Sequence, residues 1–100
     1  MYITPNKLNM VDKKSVKDLM IIPGVGKSIA HDLWNIGIRS ITDLSGQDPE
    51  ILYDLSNKFS GKVQDRCLLY VFRCAVYFAD TPKEEQESEK LKWWYWKDTK

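Results

Sequence analysis

Ile22-Pro23-Gly24-Val25-Gly26-Lys27 is the stretch on which the reading of this chain turns. Pro23 lacks an amide hydrogen, cannot continue a helix, and pushes Ile22 into an extended conformation. Gly24 and Gly26 permit backbone angles barred to other residues and carry no side chain to obstruct close approach. Upstream, Ser15 with Asp18 has the form of a capping box, and Val16, Leu19 and Met20 space out one apolar helical face. This predicts a helix over 15–22. Downstream, Ile29, Ala30, Leu33, Trp34 and Ile36 predict a second helix from Gly26 or Lys27 to Ile36, ended by Gly37 in a left-handed cap. Two helices therefore meet across a tight glycine turn.

The rest of the chain reads in the same way. Thr4-Pro5 has the form of a capped single turn, and Ser40-Ile41-Thr42-Asp43 of another, closed by Gly46. Asp48-Pro49-Glu50 supplies an N-cap, a proline at the first helical position and a carboxylate in the first turn. Ile51, Leu52, Leu55 and Phe59 carry that helix forward. After Ser60-Gly61 the longest helix is expected over 62–79, apolar from Cys67 onward except at Arg73, hence central and covered on most sides. Thr81-Pro82-Lys83-Glu84 looks like a capping box opening a charged, solvated helix to about Lys92, ahead of Trp93-Trp94-Tyr95-Trp96. A helix, a glycine-containing turn and a helix occur at 16–36. They recur degenerately at 50–79, where Phe59-Ser60-Gly61-Lys62 takes the turn's place without a Gly-x-Gly.

The whole chain is 100 residues with a net charge of +1, the size of one domain with a single core. Residues 1–40 hold six basic groups (Lys7, Lys13, Lys14, Lys17, Lys27 and Arg39) against three acidic ones. Residues 41–80 hold four against six, and residues 81–100 five against five. The basic excess therefore lies on and before the glycine turn. No run approaches the ~20 apolar residues of a membrane span, and residues 1–9 lack the apolar core of a secretion signal. With two cysteines and no Cys-x-x-Cys, reduced thiols in a cytoplasm are expected.

The first amides of a helix have no intrahelical acceptor, and the helix dipole makes that end positive. At Gly24-Val25-Gly26-Lys27 this predicts an anion site with a mobile cation at its rim, Val25 packing more than binding. Such a site suits a phosphodiester and reads no bases. A nucleotide P-loop is excluded, since it needs four residues between Gly and Gly-Lys after a strand.

Other candidates have plainer readings. Cys67 and Cys74, two helical turns apart, are too far apart for an intrahelical disulfide and are expected as buried small hydrophobes. A disulfide between subunits stays open. His31 is expected at the surface. Arg66, Tyr70, Arg73 and Tyr77 form a stripe that could face a nucleic acid. The plainer expectation is that its rings pack and its guanidiniums pair with Asp54, Asp65 or the acidic 84–89 segment. Trp93, Trp94 and Trp96 are expected to dock on the long helix. The alternatives are a stacking surface for unpaired bases beside Lys92 and Lys97, or a dimer contact.

Residues 19–37 resemble the helix-hairpin-helix motif of DNA-repair and recombination proteins. The wider run resembles the bacterial "pathogenicity locus" family, also labelled helix-hairpin-helix or mitomycin-resistance proteins. That run includes Asp48-Pro49-Glu50, Asp65-Arg66-Cys67, residues 69–79 and Lys92-Trp93-Trp94-Tyr95-Trp96-Lys97-Asp98. The likeness spans about residues 15–98 and implies a helical fold and DNA association; it brings no established enzymatic activity. The chain is thus read as all-α, a compact bundle with tandem helix-hairpin-helix (SAM-like) architecture and a degenerate second hairpin. Residues 1–14 are an extension, 15–80 the domain, and 81–100 a charged helix and tail packing on it. The expected function is non-catalytic, sequence-independent DNA-backbone contact through Gly24, Val25, Gly26 and Lys27, with Lys13, Lys14 and Lys17 lending charge. The alternative is a protein-interaction module or homodimerising scaffold using the helical surface and the tryptophans. No catalytic residue, metal, cofactor or membrane partner is expected.

Overall fold

Phe72, Leu69 and Cys74 have no exposed surface, and the helix that carries them is the one around which the other elements are arranged. The computed structural model describes residues 13–98; the capped turn expected at Thr4-Pro5, and Lys7, lie outside them. Five α-helices occur among the described residues: α1 (Lys13–Leu19), α2 (Lys27–Asn35), α3 (Ile41–Leu44), α4 (Pro49–Ser60) and α5 (Arg66–Asp80). Three 3-10 turns follow: η1 (Lys83–Glu85), η2 (Ser88–Leu91) and η3 (Trp93–Trp96). No strand is present among the described residues, so the chain is all-α.

The core forms where apolar faces of these helices converge. α5 turns Leu68, Leu69, Val71, Phe72, Cys74, Ala75 and Val76 inward. It meets α3, α4, η2 and η3, while α1 packs on α2 and α2 on α4. Leu19, Ile22, Leu33 and Leu44, each at most 1% exposed, fill the space between. Trp34 closes one edge, with the Arg39 guanidinium 3.6 Å above its ring. Its indole N–H is buried without a hydrogen-bond partner among the described residues.

Helix ends depart from expectation for local reasons. α1 begins at Lys13, so Ser15 lies inside the helix and is not its cap, and Lys13 and Lys14 belong to the folded unit. α5 starts at Arg66, four residues later than expected. Gln64 is captured first: its side-chain amide donates to Ser56 Oγ and Asn57 Oδ1, and its carbonyl accepts from Tyr53 Oη. Asp65 then caps the helix by accepting from Cys67 N at 2.8 Å. Gly61, at φ +79, ends α4.

The charged α-helix expected over 82–92 does not form. Thr81 instead terminates α5, and η1 and η2 replace the helix. The segment has no apolar residues at helical spacing, so an α-helix there would bury nothing. Gln86 folds back to donate to the Phe78 and Thr81 carbonyls at the end of α5.

The tail is clamped to α5. Arg73 donates to Glu50 at 2.7 Å, to Asp98 at 2.9 Å and to the Trp96 carbonyl at 2.8 Å. Asp98 also pairs with Arg66 at 2.6 Å and accepts from Tyr70 Oη. The arginine stripe therefore pairs with Asp98 and Glu50, not with Asp54, Asp65 or the 84–89 segment. Charges near in space but distant along the chain cannot be matched from spacing on one helix. Trp96 packs against Tyr77 at 5.5 Å and donates its indole N–H to the Lys90 carbonyl at 2.9 Å.

Hydrogen bonds from Arg73 and Arg66 hold the Asp98 carboxyl below the usual carboxylate range. A lowered folded-state value means that the clamp is complete above the unfolded aspartate value of about 3.9. It is lost as pH falls through the folded value. Asp98→Asn is expected to loosen the tail at neutral pH, read as lost near-ultraviolet circular dichroism from Trp96 and Tyr77. The unaltered protein should show that change only on acidification below about pH 4.

Candidate nucleic-acid interface

The glycine turn is built by successive short-range bonds. Past Leu19 the chain tightens: Ile21 N donates to the Asp18 carbonyl and Ile22 N to the Leu19 carbonyl, each at 3.1 Å. Val25 N then donates to the Ile22 carbonyl at 3.0 Å. With Pro23 second, Gly24 third and φ +85 at Gly24, this is the pattern of a type II turn. Ile22 and Val25, at its two corners, are 1% and 5% exposed. The turn is therefore bolted to the core at both ends.

Gly26 follows in extended conformation as the N-cap of α2, with no side chain capping the helix. Its carbonyl accepts from Ala30 N at 2.9 Å. Among the described residues no acceptor meets the amides of Lys27 and Ser28. A Cβ placed on Gly26 would touch nothing within 4 Å, so this surface is open. Gly24 differs. A Cβ there would lie 3.4 Å from Trp93 Cδ1 and 3.6 Å from Trp93 Cβ. The indole of a residue far along the chain lies against one side of the first glycine, which stays exposed.

Of the residues expected to contact phosphate, Gly26 and Lys27 stand together at the exposed start of α2. Val25 does not share that role: its side chain is in the core and its amide is bonded to Ile22. Lys17 sits in the last turn of α1, beside the glycine turn. Lys13 and Lys14 lie toward the far end of that helix, about 8–9 Å along its axis from Leu19. Lys14 is engaged by Asp18 at 3.2 Å. Behind the turn, a hollow of about 430 Å³ is lined by Trp93, Asp32, Gln64 and Asp65 among others. Burial raises the Asp32 carboxyl against the opposing pull of His31. The hollow has two aspartates in its wall, whereas Gly26, Lys27 and Ser28 are exposed on the outer side of the turn.

The tryptophans divide. Trp93 packs on the core and Gly24, Trp96 on α5, and Trp94 remains 52% exposed, edge-on to Trp93 at 5.7 Å. His31 is half-buried. Both cysteines are free, but only Cys74 is buried; Cys67, expected inside, is exposed in the first turn of α5. Sequence reasoning missed the contact of Trp93 with Gly24. The only signal for it was a surplus of tryptophans beside a glycine able to accept one.

Two measurements check this geometry. Gly24→Ala forces a side chain into a left-handed backbone beneath Trp93 and should lower unfolding stability by about 1–2 kcal/mol. Gly26→Ser supplies a better cap in open space and should leave stability level or raise it by a few tenths of a kcal/mol. Burial pushes the Cys74 thiol up to about 11, and the hydrogen bond with Asp65 raises Cys67 more modestly. Alkylation of the folded protein near pH 8 should therefore label Cys67 alone, with Cys74 reacting only after denaturation.

No group of three or more metal-ligating side chains and no helix long and apolar enough to cross a membrane occur among the described residues. Comparison with curated proteins and with solved structures returned no match. A family model does match, over residues 12–100, which takes in the glycine turn, the long helix and the tail alike. On that match the chain belongs to the pathogenicity locus (Cdd1) family.

Proposed function

We propose that this protein is a non-catalytic, sequence-independent binder of the DNA backbone, and that α1, the glycine turn and α2 act as a helix-hairpin-helix element. One observation carries the reading: the Lys27 and Ser28 amides, at the positive end of α2, face outward without acceptors beside the Lys27 ammonium. A phosphodiester oxygen satisfies such amides without any base being read. Gly26 keeps the approach clear, and exposed lysines stand at the start of α2 (Lys27) and in the last turn of α1 (Lys17). The α4–α5 connection, which lacks a second Gly-x-Gly, is on this reading the degenerate partner of the pair. A bacterial cytoplasm, where DNA is accessible, is the setting proposed.

The magnitude is small. One element reaching about three phosphates gives a salt slope near −3 and a non-specific dissociation constant of about 10⁻⁴–10⁻⁶ M. The alternative proposed earlier, a partner held by the tryptophan tail, is left with Trp94 and Tyr95, since Trp93 and Trp96 are engaged within the fold.

Gly26→Asp separates binding from folding. Aspartate is a better N-cap than glycine, so stability should hold or rise by a few tenths of a kcal/mol. Its carboxylate would occupy the amides and repel phosphate. Duplex affinity at ~50 mM salt should fall at least about tenfold, with an unchanged circular dichroism spectrum. If the unaltered protein retains no DNA at that salt, or if Gly26→Asp binds as well as it does, the reading fails.

A further inference from the structure

Ile51, Leu55 and Phe59 recur every four residues along α4, and all three stand in solvent, at 56%, 42% and 63% exposure. That spacing lays them in one row about 12 Å long. Leu52, Tyr53 and Ser56 of the same helix are buried. α4 is therefore apolar on two sides, and the fold covers only one. Isolated exposed hydrophobes are ordinary, whereas a continuous row with a phenylalanine at its end marks a contact surface.

Asp54 and Lys58 flank this row one turn apart. Both are exposed, and neither enters an ion pair or hydrogen bond among the described residues. The acid lies toward the start of the helix and the base toward its end. A parallel copy of α4 would set like charge against like. An antiparallel copy sets Asp54 against Lys58 of the partner twice over, while Ile51 meets Phe59 of the partner across the two-fold.

We infer that α4 pairs antiparallel with α4 of a second copy of this chain, through the Ile51–Leu55–Phe59 row flanked by Asp54–Lys58 pairs. This interface is remote in sequence from the glycine turn and does not rest on the DNA reading. The row offers on the order of 300 Å² per protomer, below the ~800 Å² per partner of a standard interface. Association is therefore weak, with a dissociation constant on the order of 10–1000 µM.

Sedimentation equilibrium of the full chain, without DNA, across that concentration range tests the proposal. The unaltered protein should show a reversible monomer–dimer equilibrium. Phe59→Glu, at an exposed site, should keep the circular dichroism spectrum and weaken dimerisation at least about tenfold. Asp54→Lys and Lys58→Asp should each weaken it about threefold or more, and the double swap should restore it. A chain that stays monomeric throughout overturns the proposal and leaves the row to a different protein. A dimer indifferent to Phe59→Glu overturns it too. Single charge variants that dimerise normally, or a double swap that does not recover, refute the antiparallel register.

Discussion

Trp93 resting against Gly24 is the contact that ties the C-terminal tail to the glycine turn. The left-handed backbone at that position favours glycine, and the indole of Trp93 lies within van der Waals reach of it. The indole arrives because the tail is held elsewhere, by the salt bridges from Arg73 and Arg66 to Asp98 and by Trp96 against Tyr77. Trp93 lies against one side of the turn, while Gly24, Gly26 and the start of α2 remain exposed to solvent.

Much of this architecture is legible in local sequence because its causes are local. Proline and glycine at 23–26, Gly37 and Asp48-Pro49 act within a turn or two of their own positions, and the starts of α2 and α4 and the end of α2 follow expectation. By contrast, α1 ends at Leu19, three residues before the expected Ile22. The departures beyond α1 come from contacts that the spacing along one helix does not reveal. Gln64 is bonded to α4 before α5 can begin, so four residues expected as helix are not. Gln86 caps α5 by folding back, and the acidic segment, lacking an apolar face, has nothing to bury as a helix. Arg66 and Arg73 find Asp98, beyond the reach of any helical-spacing rule. Cys67 was expected inside because its neighbours are apolar, yet it occupies the exposed first turn of a helix that begins later than predicted.

The candidate site was partly legible in the same sense. Pro-Gly-Val-Gly-Lys announces a turn with free amides after it, and the geometry separates its members. Gly26 and Lys27 stand open, Val25 is a core residue, and Gly24 is an exposed left-handed turn residue with Trp93 against one side. Lys13 and Lys14 belong to α1 and are set back from the turn. Charge counted along the chain had grouped all four lysines together. Distance along the helix divides them.

The double anchoring of the turn has a thermodynamic corollary. Ile22 and Val25 are sunk in the core and joined by a backbone bond, so the loop has little conformational freedom left to surrender. A ligand arriving there need not organise its receptor, and the entropic penalty of docking falls almost wholly on the ligand and its counterions. On the reading proposed above, a surface this stiff would favour quick capture and quick release over tenacity, as in a molecule that samples a polymer instead of settling on one address.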